Sequence, residues 1–129
     1  MKQCLNCKQT KEAEHFYTRS GNRSHELQAV CKVCSKESSN KHKRFISSLT
    51  KRWKLRKGCA NCSFKAVHSV QLDIDHITPK HKKGNDRQAI NTSWSKQRLK
   101  KELSNCQVLC ANCHRLKTLK DGLMFKPCE

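Results

Sequence analysis

Aromatic residues make up only 5 % of this 129-residue chain, and hydrophobic residues of every kind 35 %. A chain so short and polar has little apolar surface with which to hold a fold by burial alone. Small domains in that position are fastened by metals or disulfides. Acid is scarce too. Ten Asp and Glu stand against 28 Lys and Arg, a formal charge of +18. The imbalance disfavours a cationic partner and points to a polyanion, most often nucleic acid. It does not by itself separate DNA from RNA. No apolar run approaches the ~20 residues needed to cross a bilayer. The opening MKQCLNCKQTK has no apolar signal-peptide core.

Cysteine is what the chain has in plenty. Eight of the ten cysteines form four C-x-x-C pairs: Cys4/Cys7, Cys31/Cys34, Cys59/Cys62 and Cys110/Cys113. A two-residue gap lets both thiolates of a pair face one ion, so four pairs make two Cys4 zinc sites. The competing reading is a secreted disulfide framework, and the missing signal sequence counts against it. Zinc thiolates imply a reducing, cytoplasmic compartment. Cys106 reads as a small buried apolar residue, and Cys128 as a free thiol in a tail.

The chain falls into three segments. Residues 1–38 hold the first two knuckles, with Phe16 and Tyr17 the only aromatics available to cover the metal and a turn at Ser20-Gly21-Asn22. This fits a zinc-ribbon-like module. Residues 39–57 form a basic linking helix, part of a stretch from Lys36 that lacks Gly and Pro. Phe45, Leu49 and Trp53 recur every four residues there and predict one buried stripe. Lys43, Arg44, Lys51 and Arg52 are candidates for phosphate contact, against the plainer reading of ordinary surface charge. Gly58 ends the helix.

Residues 58–129 form the second zinc unit. The alternation in Val70–Ile77 predicts a strand. A polar loop over 80–91, a helix over 93–104, a short strand over 107–109 and a helix from Ala111 to a stop at Gly122 complete it. Joining Cys59/Cys62 to Cys110/Cys113 draws the strand bearing Asp75 and His76 towards His114. His114 itself is either a zinc ligand in place of a cysteine or free for other chemistry. The expected class is a small, zinc-stapled α+β protein.

"DIDHITP" followed by "NCQVLCANCH" resembles the HNH endonuclease family over residues 58 to 120. That family has a ββα-metal fold, a hairpin and helix around one catalytic divalent ion. The first unit resembles, less closely, Cys4 modules that precede nuclease domains in phage proteins. The resemblance implies that zinc takes Cys4, Cys7, Cys31 and Cys34 in one site and Cys59, Cys62, Cys110 and Cys113 in the other. It implies that Asp75 and His114 hold one Mg2+ or Mn2+, that His76 is the general base, and that Asn105 bonds across the hairpin to orient the loop near His76. The expected activity is hydrolysis of phosphodiester bonds in double-stranded DNA, leaving a 5′-phosphate. One chain offers one site, so a monomer would nick. Homing, restriction, packaging and genome degradation all remain open as roles.

Arg115 and Lys117 are the favoured phosphate clamps beside the cut, with Lys80, Lys82 and Lys83 behind them. Asp75 and His76 are adjacent, so an ideal strand points them to opposite faces. A shared site therefore requires the strand to end or kink, and Pro79 is nearby. Asp73 shares a face with Asp75 and stands as a second ligand, a supporting group or a plain strand residue. The alternative to the enzyme is a zinc-dependent nucleic-acid-binding regulator without catalysis.

Overall fold

The computed structural model describes residues 1–77 and 90–121. Lys80, Lys82, Lys83, Pro79, Gly122 and Cys128 fall outside them. The chain divides into two compact units, Met1–Arg44 and Phe45–Glu129. The boundary lies inside the helix that contains residues 39–57. No described helix is long and apolar enough to cross a membrane.

In the first unit, β1 (Lys2–Gln3) pairs antiparallel with β2 (Thr10–Lys11), and β3 (Phe16–Thr18) with β4 (Leu27–Cys31). Helix α1 (Lys32–Lys57) starts directly after β4. The core is Cys4, Phe16, Cys31 and Cys34, with Cys7, Leu27 and Val30 packed against it. Thiols and one phenyl ring thus replace an aliphatic interior. Of the two aromatics expected over the metal, Phe16 is buried. Tyr17 is half exposed, and the Lys32 ammonium lies 5.4 Å from its ring centre.

In the second unit, β5 (Leu72–His76) pairs antiparallel with β6 (Cys106–Cys110), from Leu72↔Cys110 to His76↔Cys106. Helix α2 (Lys96–Leu103) lies between them in sequence, and α3 (Ala111–Lys120) follows β6 at once. Ser95 caps α2 by accepting from the Arg98 amide at 3.2 Å. Leu72, Val108 and Leu109 form the aliphatic core with Cys59 and Cys110, and Trp53, Ala66 and Cys113 pack on it.

The buried face of α1 differs from the expected stripe. Ile46 is fully buried while Phe45 is 46 % exposed. The inward positions are 46, 47, 49, 50, 53 and 54, built on an i, i+3, i+4, i+7, i+8 pattern that a spacing of four alone misses. Lys54 belongs to that face because its ammonium donates to the Leu72 carbonyl at 2.7 Å. Gly58 closes the helix with φ +66°, its amide donating to the Lys54 carbonyl. A Cβ there would stand 3.0 Å from the Phe64 carbonyl oxygen.

Candidate functional site

Two cysteine clusters come first, because they set the frame. Cys4, Cys7, Cys31 and Cys34 bring their sulfurs within 4.8 Å of one another, and so do Cys59, Cys62, Cys110 and Cys113. Tetrahedral zinc with bonds of about 2.3 Å needs sulfurs about 3.8 Å apart. The Cys62 and Cys110 sulfurs are 3.8 Å apart. Each group can hold a zinc ion, and the donor set suits that metal.

The thiols of a cluster are not equivalent. The Cys31 amide donates to Cys4, and with the amides of Cys7 and Asn6 it draws that thiol down to about 6 against the effect of burial. Burial raises Cys59, but amides at Cys110, Cys62 and Asn61 bring it down to about 6. Cys34 moves the other way. Asn6 lowers it, but Cys31 and then burial and the remaining thiols push it up to about 11. Amide donation at Phe64 lowers Cys62, and the surrounding thiols outweigh it, up to about 12. Four thiols crowded into one space cannot all lose their protons without a cation among them, and a divalent ion meets that need.

Strand alternation then decides which polar groups meet. Asp73 and Asp75 are two apart on β5 and face α3, whose first turns carry His114 and Lys117. The Asp73 Oδ2 lies 3.0 Å from His114 Nδ1, and the Asp75 Oδ1 lies 3.8 Å from His114 Nε2. The other Asp75 oxygen, Oδ2, accepts from Gln107 Nε2 at 3.0 Å and from the Lys117 ammonium. Gln107 is the cross-strand partner of Asp75. One carboxylate oxygen is therefore pinned by two donors while the other faces the imidazole. Burial works to raise the Asp75 pKa, but Gln107, Lys117 and His114 outweigh it and hold the carboxyl below the ordinary range.

His76 is placed differently. β5 keeps a regular register through His76, and the Ile77 amide continues it by donating to the Asn105 carbonyl at 3.1 Å. The kink expected near Pro79 is not present up to Ile77. His76 therefore points away from the Asp75 face, and its Nε2 lies 2.7 Å from Glu102 Oε1 of α2. Both side chains are about one-fifth exposed. Asn105 bonds across the hairpin through its carbonyl, which accepts from Ile77, while its side-chain amide donates to the Lys101 carbonyl at 3.5 Å.

Of the expected phosphate contacts, Lys43, Arg44, Lys51, Arg52 and Arg115 are exposed. Lys117 is not a free clamp, since its ammonium donates to Asp75 and, at 3.0 Å, to the His76 carbonyl. His114 is no part of the sulfur cluster, which four cysteines complete without it.

Sequence reasoning missed Gln107 and Glu102. Gln107 becomes visible once Leu72 is paired with Cys110, since that register sets it opposite Asp75. Nothing in the sequence points to Glu102. In comparisons with known proteins, no family model, curated protein or solved structure matches the chain.

Proposed function

We propose that the chain is a metal-dependent DNA endonuclease of the HNH type, with β5, β6 and α3 as its ββα core. The observation that carries this reading is the pairing of Asp75 Oδ1 with His114 Nε2 at 3.8 Å, backed by Asp73 on the far ring nitrogen. One carboxylate oxygen and one imidazole fit a hard divalent ion that keeps several positions for water and phosphate. Asp75 stays ionised well into acid, as a ligand must. Asp73 accepts from Nδ1–H and so turns the Nε2 lone pair towards Asp75, the carboxylate–histidine arrangement common beside metals. Bound there, Mg2+ or Mn2+ supplies positive charge for the scissile phosphate and the departing oxygen.

The chain's own residues supply the rest. Glu102, accepting from His76 Nε2–H, leaves the lone pair on Nδ1. For that nitrogen to take the proton from the attacking water, the end of β5 must turn the ring towards the Asp75 face when DNA binds. Lys117 and Gln107 fix the Asp75 carboxylate, and Lys117 also ties it to the His76 backbone. Exposed Arg115 on α3 and the exposed Lys43, Arg44, Lys51 and Arg52 of α1 give DNA its phosphate contacts. The two zinc ions act as structural clasps.

One observation favours a second reading, a zinc-dependent nucleic-acid-binding module without catalysis. Adjacent Asp75 and His76 face different helices in a regular strand. Supercoiled plasmid incubated with Mg2+ or Mn2+ decides. The nuclease reading expects nicked circles from the wild type and, with His76→Ala, a rate lower by about 10²–10⁴ at unchanged DNA affinity. Binding without cleavage under either ion establishes the second reading.

A further inference from the structure

The two units repeat one local design. In each, a C-x-x-C knuckle is followed by a residue of positive φ, Lys8 and Ser63, both at 59°. The amides of those residues donate to the Cys4 and Cys59 carbonyls at 2.9 and 3.0 Å. The Cys4 amide donates to the Gln9 carbonyl, and the Cys59 amide to that of Phe64, at 2.9 and 3.0 Å. The next amide in each knuckle reaches the strand two residues before the third cysteine, Leu5 to Ala29 and Ala60 to Val108, at 3.0 and 2.8 Å. That strand ends in Cys31 or Cys110, and a helix carrying Cys34 or Cys113 in its first turn comes next. Opposite the third cysteine stands a buried apolar residue on the partner strand, Phe16 or Leu72.

With this shared frame the two units can be matched position by position. Counted from the third cysteine, Gln28 matches Gln107, Ser35 matches His114 and Ser38 matches Lys117. Counted from the buried residue opposite, Tyr17 matches Asp73, Arg19 matches Asp75 and Ser20 matches His76. The first hairpin has an irregularity between Phe16 and Thr18, so the match is one of count rather than of unbroken register. The acids and histidines of the second unit have no counterpart in the first. By count, an arginine takes the position of Asp75.

A concavity of about 410 Å³ is lined by Arg19, Ser20, Arg23, Gln28 and Ala29, so Arg19 and Gln28, the counterparts by count of Asp75 and Gln107, share it. Arg19 is paired with Glu26 at 3.6 Å, with both side chains more than two-fifths exposed. Such a pair is worth little in water, so it yields readily to a phosphate. Residues 1–44 contain ten Lys and Arg against four Glu, so the surrounding charge favours an anion.

We infer that the first unit is a charge-inverted copy of the second, in which the strand positions of Asp75 and Gln107 have become part of an arginine-lined site for the phosphodiester backbone of DNA. Arg19 and Arg23 are its contacts. The inference stands apart from catalysis, because it concerns binding by the first unit alone.

The test measures the full zinc-loaded chain binding a labelled duplex without Mg2+ or Mn2+, across about 50–200 mM salt. Each lost phosphate contact lowers the slope of log affinity against log salt by about 0.9. Arg19→Gln/Arg23→Gln is expected to lose about 1.8 of that slope, and the double Lys variant to keep it. Both are compared at wild-type zinc content. Should the double Gln variant lose zinc, Arg23→Gln alone is expected to lose about 0.9. A slope unchanged by Arg to Gln overturns the assignment. So does inorganic phosphate that displaces the duplex far better than chloride at equal ionic strength, since that marks a small-anion pocket. Either result leaves the nicking assay untouched.

Discussion

Asp73→Asn separates a supporting carboxylate from a bare surface acid. In the structure Asp73 touches His114 on the nitrogen that faces away from Asp75, at 3.0 Å. Removing a carboxylate that orients a ligating histidine costs 10–100-fold in metal affinity, about 1.4–2.7 kcal/mol. Two features place this variant towards the lower end. The Asp73 side chain is 45 % exposed, so water screens its direct pull on an ion. The asparagine oxygen can still accept from Nδ1–H, which keeps part of the orientation. The expected loss is therefore about 10–30-fold for Asn and nearer 100-fold for Ala. Two assays read it: direct Mn2+ binding by electron paramagnetic resonance, and the Mg2+ concentration at half-maximal nicking. Asp73 also attracts the Lys54 ammonium. Burial lowers the Lys54 pKa, and Asp73 partly restores it. Lys54→Met is the control, and it is expected to leave Mn2+ affinity unchanged. Unaltered affinity in both Asp73 variants refutes the supporting role. Complete loss of Mn2+ binding refutes it in another way, because it makes Asp73 a ligand in its own right.

Glu102→Gln keeps size and packing but offers an amide that can donate to His76 Nε2 and so reverse its tautomer. Nicking is expected to fall at least about 100-fold with DNA affinity intact, and ¹⁵N shifts of the His76 ring to show the proton moving towards Nδ1. An unchanged tautomer and rate would falsify the clamp. Cys110→Ser removes a buried thiolate that also caps α3 through the Cys113 amide at 3.5 Å. It is expected to bind one zinc per chain instead of two, with the hydrogen-exchange protection of β5 and β6 lost and that of β3 and β4 retained. For Asp75 the sign comes from its depressed pKa. Its contribution to stability is fully present above the ordinary 3.8 and is lost as pH falls through the lower folded value. Its ¹³C carboxyl shift should stay flat from neutrality down to the onset of zinc release, and Lys117→Met should bring its titration upward. Titration of the wild-type Asp75 above 3.8 contradicts this.

Short-range spacing is the part of this protein that was legible in the sequence. The four knuckles, the alternating strand before Ile77 and the helix after Cys110 are all local patterns, and zinc closure then brings Asp75 near His114. Alternation also put Asp73 with Asp75 and set His76 opposite, and the structure keeps that geometry up to Ile77 without the kink that a shared site required. Helix α1 was harder, because a spacing of four fixes a stripe only loosely. Phe45 and Ile46 differ by about 100° around the axis, and tertiary packing chose Ile46. Glu102 was out of reach, since its distance from His76 is set by how α2 returns to the hairpin and not by any local pattern.

The repeat was hidden for a different reason. Between the second and third cysteines the first unit has 23 residues and the second 47, the longer stretch containing α2, so no fixed period exists to detect. Beyond the cysteines, the shared part consists largely of backbone hydrogen bonds, which leave little trace in side-chain identity. The cysteines and the apolar residues packed on them hold each frame together, and the polar face of the hairpin is left with little part in stability. One face can then carry two aspartates beside a histidine, and its counterpart an arginine beside serines, without altering the scaffold beneath. On this argument, exchanging Arg19 for Asp should spare the fold and zinc content of the first unit while lowering DNA affinity. A loss of zinc from that variant would show that the face and the clasp are coupled after all.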